Sequence, residues 1–233
     1  MDRWMLITLG IALVICAALA VFAPAAHAGP PLLCYPFQID DAKSLPWGSG
    51  GWRAPAPGYD LRRLAEDTLA LLGPAVPVIV RMETLRRAAV YATKDRQIAA
   101  HLLGRLEARM HHAEAAGKPD ALAIFDAGYL IETYKQAGLA EVLRGATGTL
   151  DGYAMIRKAI GVRGHDPEME FAAALALADN RSQDARTAHL RKALASAEPG
   201  SRLAKNLITH CHLVGIRANT LAEMRSQLGS PKI

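Results

Sequence analysis

An all-α fold of antiparallel helix pairs, preceded by an irregular arm, is predicted by three features of this 233-residue sequence. From Tyr59 onward, apolar residues recur at helical spacing in segments about 12–20 residues long. Gly, Pro, Asp and Ser stand where such segments should start and stop. No stretch sustains a period-two alternation of apolar and polar residues, so a sheet is not expected.

The chain begins on a different pattern. Arg3 and the amino terminus form a basic end, Met5 to Phe22 is almost wholly apolar, and Pro24 precedes the small residues Ala26 and Ala28. Residues 1–28 read as an export signal cleaved after Ala28, so the remainder is expected in the periplasm or outside the cell. The apolar run exceeds the usual signal core of about 7–15 residues and approaches the roughly 18 that span a bilayer. An uncleaved anchor is the alternative, and the only route by which a membrane enters this reading. It too leaves the following residues facing outward. At Cys34, the bulky Leu33 stands where lipoprotein processing needs a small residue.

Residues 29–58 form the arm. Six prolines and five glycines in this stretch exclude a long helix. Its apolar residues, from Leu32 and Leu33 through Tyr35, Phe37, Ile39 and Leu45 to Trp47 and Trp52, are too many for a solvated linker. The arm should therefore pack against the helical body of residues 59–233.

Within that body, Asp60 caps a helix to about Leu72, which Gly73-Pro74 ends. A second runs from about Val76 to Thr93 with Pro77 in its first turn, and a third from Asp95 to Ala116. Pro119 opens a fourth that stops near Gly138. Gly138, Gly145, Gly148 and Gly152 mark a loop-rich middle, followed by a shorter helix from Leu150 to Val162. Asp166 and Pro167 start a helix to about Asp179 that is apolar on nearly every side, as a helix buried between neighbours is. Ala185–Ala197 places Leu190, Ala193, Leu194 and Ala197 on one face. Ser201 caps a helix to about Val214, and a terminal helix covers Leu221–Leu228.

Between Asp166 and Leu207 the chain resembles tetratricopeptide-type repeats. The resemblance rests on Ala185, the Arg191-Lys192-Ala193-Leu194 turn and the Glu198-Pro199-Gly200-Ser201 exit. The Trp and Gly signature positions are missing, and the earlier helices keep no strict period of about 34 residues. It implies a short helix-pair solenoid used for binding. Gly29-Pro-Pro-Leu-Leu-Cys34, Lys43-Ser-Leu-Pro-Trp47 and Asp166-Pro-Glu-Met-Glu-Phe171 also resemble a family of exported bacterial proteins of unknown function, which implies no activity.

Removal of residues 1–28 takes away one Arg and one Asp and leaves the formal charge at +5. Lys and Arg are scattered among Asp and Glu, without the basic block that nucleic-acid binding needs. Nucleophile-elbow, zinc-helix and phosphate-loop signatures are absent, so neither cofactor nor metal is expected. Neighbours in His210-Cys211-His212 and in His111-His112 diverge on a helix and cannot converge on one ion unaided.

Asp126 and Glu132 lie among apolar residues on the fourth helix, near Tyr129, and need partners if buried. Arg81, Arg86 and Arg87 on the second helix are the natural ones. The pair reads either as ion-paired carboxylates that set helix register or as the acid and base of a hydrolase or lyase acting on an envelope polymer. Trp47 and Trp52 flank a glycine turn and either present their rings to a ligand or anchor the arm. After signal removal Cys34 and Cys211 remain, and an oxidising compartment favours pairing them. That loop of about 178 residues would contribute roughly 5 kcal/mol. The expected function is a protein- or peptide-binding scaffold module in a bacterial envelope.

Overall fold

The computed structural model describes residues 30–145, 148–178 and 182–229; the export signal expected at 1–28 lies outside them. The main elements of the described residues are the helices α1 (Pro31–Cys34), α2 (Leu64–Ala70), α3 (Val78–Ala92), α4 (Arg96–Ala115), α5 (Ala121–Gln136), α6 (Gly152–Arg163), α7 (Pro167–Ala176), α8 (Gln183–Ala195), α9 (Arg202–His210) and α10 (Leu221–Gly229). None is long and apolar enough to cross a membrane.

Short polar side chains set most of the starts. Asp95, Asp120, Asp151, Asp166, Ser182 and Ser201 each accept one or two of the free amide protons that open α4 to α9. Several starts differ from expectation, two of them for a clear local reason. The first turn after Asp60 is a 3-10 turn, Leu61–Arg63, before α2 begins. In the second, the Val76 amide bonds the Gly73 carbonyl at 3.1 Å in a turn, and Pro77 has no amide to offer, so α3 waits until Val78. Besides the irregular arm, the glycine-rich middle departs from helical structure, where Arg144–Gly145 pairs antiparallel with Gly148–Thr149. Gly145 and Gly148 lack the side chains whose alternation would have announced it.

Three helices form the interior. Every residue of α3 except Arg87 is buried, as are Leu122–Tyr134 of α5 and Met169–Ala176 of α7. The arm enters this core. α1 lies against α3, α5 and α7, and Leu32, Leu33, Phe37, Ile39 and Leu45 are all buried. At about 1.5–3 kcal/mol for each fully buried large apolar side chain, the arm is part of the fold.

Candidate binding seam between arm and body

One carboxylate joins the arm to α3. Glu83 Oε2 accepts the Phe37 amide at 3.0 Å and Arg86 Nε at 2.7 Å. Its Oε1 accepts Arg86 Nη2 at 2.8 Å and Arg87 Nε at 2.7 Å. Positions i, i+3 and i+4 share a helix face, which is why these three charged residues of α3 converge. The spare guanidinium protons then hold arm carbonyls. Arg86 Nη1 donates to Leu33 at 3.1 Å and to Trp52 at 2.9 Å, and Arg87 Nη1 donates to Leu45 at 2.7 Å. A buried charge is tolerated when its hydrogen-bonding capacity is used in this way.

Trp47 covers the cluster. Its ring lies 5.0 Å from the Arg86 guanidinium and 5.5 Å from that of Arg87, edge-on to Tyr91 at 5.8 Å. The Tyr91 hydroxyl donates to the Pro46 carbonyl at 2.6 Å and accepts the Ala56 amide at 2.9 Å. Trp47 is therefore an anchor of the arm. Trp52 is half-buried at the rim, with the exposed Arg53 guanidinium 5.8 Å from its ring.

A second clasp comes from α9. Asn206 accepts the Gln38 amide and donates to the Gln38 carbonyl, both at 2.9 Å, as a neighbouring strand would. His210 stacks on Phe37 at 4.8 Å, its Nδ1 2.9 Å from the Asn206 carbonyl oxygen and its Nε2 3.4 Å from that of Tyr35. Burial holds this imidazole below its ordinary pKa. The His210-Cys211-His212 run thus serves, through its first residue, to seat the arm.

The remaining singled-out residues lie in the interior. Arg81 donates to Asp126 Oδ2 at 2.6 Å and to the carbonyls of Leu72, Gly73 and Val76, closing the end of α2. Arg109 lies 3.7 Å from the same carboxylate oxygen. Asp126 Oδ1 and the Tyr129 hydroxyl are buried without a hydrogen-bond partner among the described residues. Glu132 faces another way: its Oε1 accepts the Tyr153 amide at 2.9 Å, at the start of α6, and Lys135 Nζ at 2.7 Å. Asp126, Tyr129, Glu132, Arg81 and Arg86 are each at most 1% exposed, so they hold helices together and are not presented to a ligand.

Burial pushes the Asp126 carboxyl from 3.8 up to about 6, against the pull of Arg81 and Arg109. A carboxyl with a raised folded pKa favours the fold when protonated. Its contribution is fully present below about 3.8 and is lost as the pH rises through about 6. Asp126→Asn removes this titration. The stability difference between variant and native protein should shift by roughly 2 kcal/mol toward the variant between pH 4 and pH 7. Denaturant titrations at the two pH values measure it, and a pH-independent difference would refute the assignment.

The expected Cys34–Cys211 tether is not present. Both thiols are free. Cys211 Sγ is turned into its own loop, 3.3 Å from the Ala218 carbonyl oxygen, whereas Cys34 faces Trp52, Arg53 and Val90. The arm is held instead by the Glu83 and Asn206 clasps.

Beside Cys34 a groove of about 210 Å³ opens along the seam. Leu33 and Trp52 of the arm and Val90 of α3 form its apolar part, and Arg53, Cys34 and Gln136 its polar part. Gln136 also accepts the Leu32 amide at 2.7 Å and so fixes the groove's wall. Of the residues expected to bind, Trp52 alone lines it. Sequence reading passed over Glu83, Gln136, Asn206 and Arg53. The Glu83-x-x-Arg86-Arg87 spacing was the available signal for the first. Comparison with family models, with curated proteins and with solved structures finds no match.

Proposed function

We propose that this protein is an exported helical-repeat module that binds an extended protein or peptide segment in the bacterial envelope, with the seam groove as its recognition site. The observation that carries the reading is the groove itself, where the arm supplies one wall and α3 and α5 the other. Small-molecule pockets usually enclose about 300–1,000 Å³. A volume of about 210 Å³ suits one or two side chains of a longer ligand. Trp52 and Arg53 at the rim are the residue types that dominate protein recognition, and the cation favours a peptide with an acidic residue beside its apolar anchor. Paired helices of tetratricopeptide type would supply the rigid support. The alternative, a polymer hydrolase or lyase using Asp126 and Glu132, needs both carboxylates in one cleft. The buried partners of each, Arg81 for one and the start of α6 for the other, favour the binding reading.

Selection of a displayed peptide library on the purified protein tests this. Enriched peptides should carry an apolar anchor next to Asp or Glu. Trp52→Ala and Arg53→Glu should each weaken them by about tenfold or more, roughly 1.4 kcal/mol. Equal affinity for both variants and the native protein would place recognition elsewhere.

A further inference from the structure

Away from the seam, three successive helices align a carboxylate, an imidazole and a phenol. Glu170 of α7 accepts a hydrogen bond from His189 Nδ1 of α8, and His189 Nε2 lies 3.0 Å from the Tyr153 hydroxyl of α6. An ionised carboxylate only accepts, so the proton of neutral His189 sits on Nδ1 and the Nε2 lone pair faces the phenol. Glu170 is 1% exposed and lies in the first turn of α7, where the helix dipole favours its charge. Lys192 Nζ, 3.2 Å from its other oxygen, braces it. Tyr153 is placed by its own amide, which Glu132 holds.

The tyrosine end of this line lies on a partly exposed residue packed against the core. Tyr153 is half-buried, the His189 side chain is only 12% exposed, and the exposed Arg157 guanidinium stands 5.9 Å from the tyrosine ring. Burial raises the phenol above its ordinary pKa, with Arg157 pulling the other way, so near neutrality the hydroxyl keeps its proton and needs a base to act. Carboxylate, imidazole and hydroxyl in this order make an activated nucleophile: the first orients the second, and the second removes the proton of the third. The exposed Arg157 guanidinium beside the ring favours an anionic electrophile and works against the nearby carboxylates of Asp151 and Glu170.

We propose that Tyr153 is a nucleophile toward anionic phosphoryl esters, with His189 as its base and Glu170 as the positioning residue. The tyrosine oxygen bonds phosphorus as the bond from phosphorus to the ester oxygen breaks. The phenol proton passes to His189 Nε2 and from there to the departing oxygen, leaving an alcohol and a phosphotyrosyl protein. This site is independent of the seam groove, and its test does not touch the groove.

The probe is 4-(fluorosulfonyl)benzoate, an anionic tetrahedral electrophile. A tyrosine O–S bond forms, the S–F bond breaks, and fluoride leaves as His189 takes the proton. Peptide mapping by mass spectrometry of the unmodified chain should show Tyr153 labelled at least tenfold faster than the half-buried Tyr35 and Tyr59. His189→Gln should remove that advantage, Glu170→Gln should reduce it, and Tyr153→Phe should abolish labelling on that peptide. The rate relative to Tyr59 in the same molecule is the readout, because general loosening would raise both. Labelling of Tyr153 no faster than of Tyr35 and Tyr59 in the unmodified chain overturns the proposal without any variant. An unchanged ratio in His189→Gln overturns the role of the base. Faster labelling by the neutral phenylmethanesulfonyl fluoride overturns the anionic substrate class.

Discussion

Arg86→Met is expected to lower the unfolding free energy by about 3–5 kcal/mol, the usual cost of removing one partner from a buried ion pair. The methionine fills a similar volume, so the loss is one of bonding. Glu83 keeps Arg87 and the Phe37 amide but loses both of its charge-assisted bonds to Arg86. The carbonyls of Leu33 and Trp52 lose their shared donor at the same time. Because those carbonyls belong to the arm, loosening should begin there. Faster amide exchange of residues 32–56 should accompany the drop in the denaturation midpoint. Arg86→Lys should recover little, since one ammonium cannot reproduce a planar fork that bonds Glu83 on one side and two carbonyls on the other. A midpoint within experimental error of the native protein's would show that the clasp is dispensable.

Gly152→Ala is the second change with a large expected effect, and its sign opposes helix propensity. Alanine in place of a helical glycine normally stabilises by roughly 0.5–1 kcal/mol. At Gly152 a Cβ would lie 2.9 Å from Glu132 Cγ and closer still to the Gly128 carbonyl oxygen. On the facing helix, a Cβ on Gly128 would meet the Gly152 carbonyl oxygen at 2.8 Å. Here α5 and α6 approach backbone to backbone, so relief requires moving a whole helix. The expected cost is about 1–3 kcal/mol or more. Gly161 lies on the same helix, and a Cβ added there would meet nothing within 4 Å, so Gly161→Ala should stabilise by about 0.5–1 kcal/mol. Thermal or chemical denaturation of the two variants gives opposite signs if the crossing is as described. A neutral or stabilising Gly152→Ala would refute it.

Helices and their starts were largely legible because capping acts over a few residues. Asp166 with Pro167, and Ser201 before Arg202, mark observed starts to the residue. The all-round apolar character of the Phe171–Ala176 stretch identified a buried helix for an equally local reason. Asp126 among apolar residues pointed to a buried carboxylate in need of an arginine, and Arg81 is that arginine. Arg86 and Arg87, expected beside Asp126 and Glu132, instead pair with Glu83. Their partner, Glu83, is close enough along α3 to have been found by spacing alone.

Other features depend on residues distant in the chain. Phe37 meets Glu83 across 46 positions, and Gln38 meets Asn206 across 168. Composition called for a strong attachment of the arm and offered two cysteines for it. Folding instead directs Cys211 toward Ala218 and leaves the attachment to hydrogen bonds. The groove at the seam and the Tyr153–His189–Glu170 line likewise exist only once separate elements have docked. By itself, then, the sequence determined an all-α chain with an apolar arm, because periodicity, capping and proline chemistry are properties of neighbouring residues. Which charges meet, where two glycines let helices touch and which side chains reach solvent together were decided by tertiary packing, because each depends on distances that only the folded chain defines.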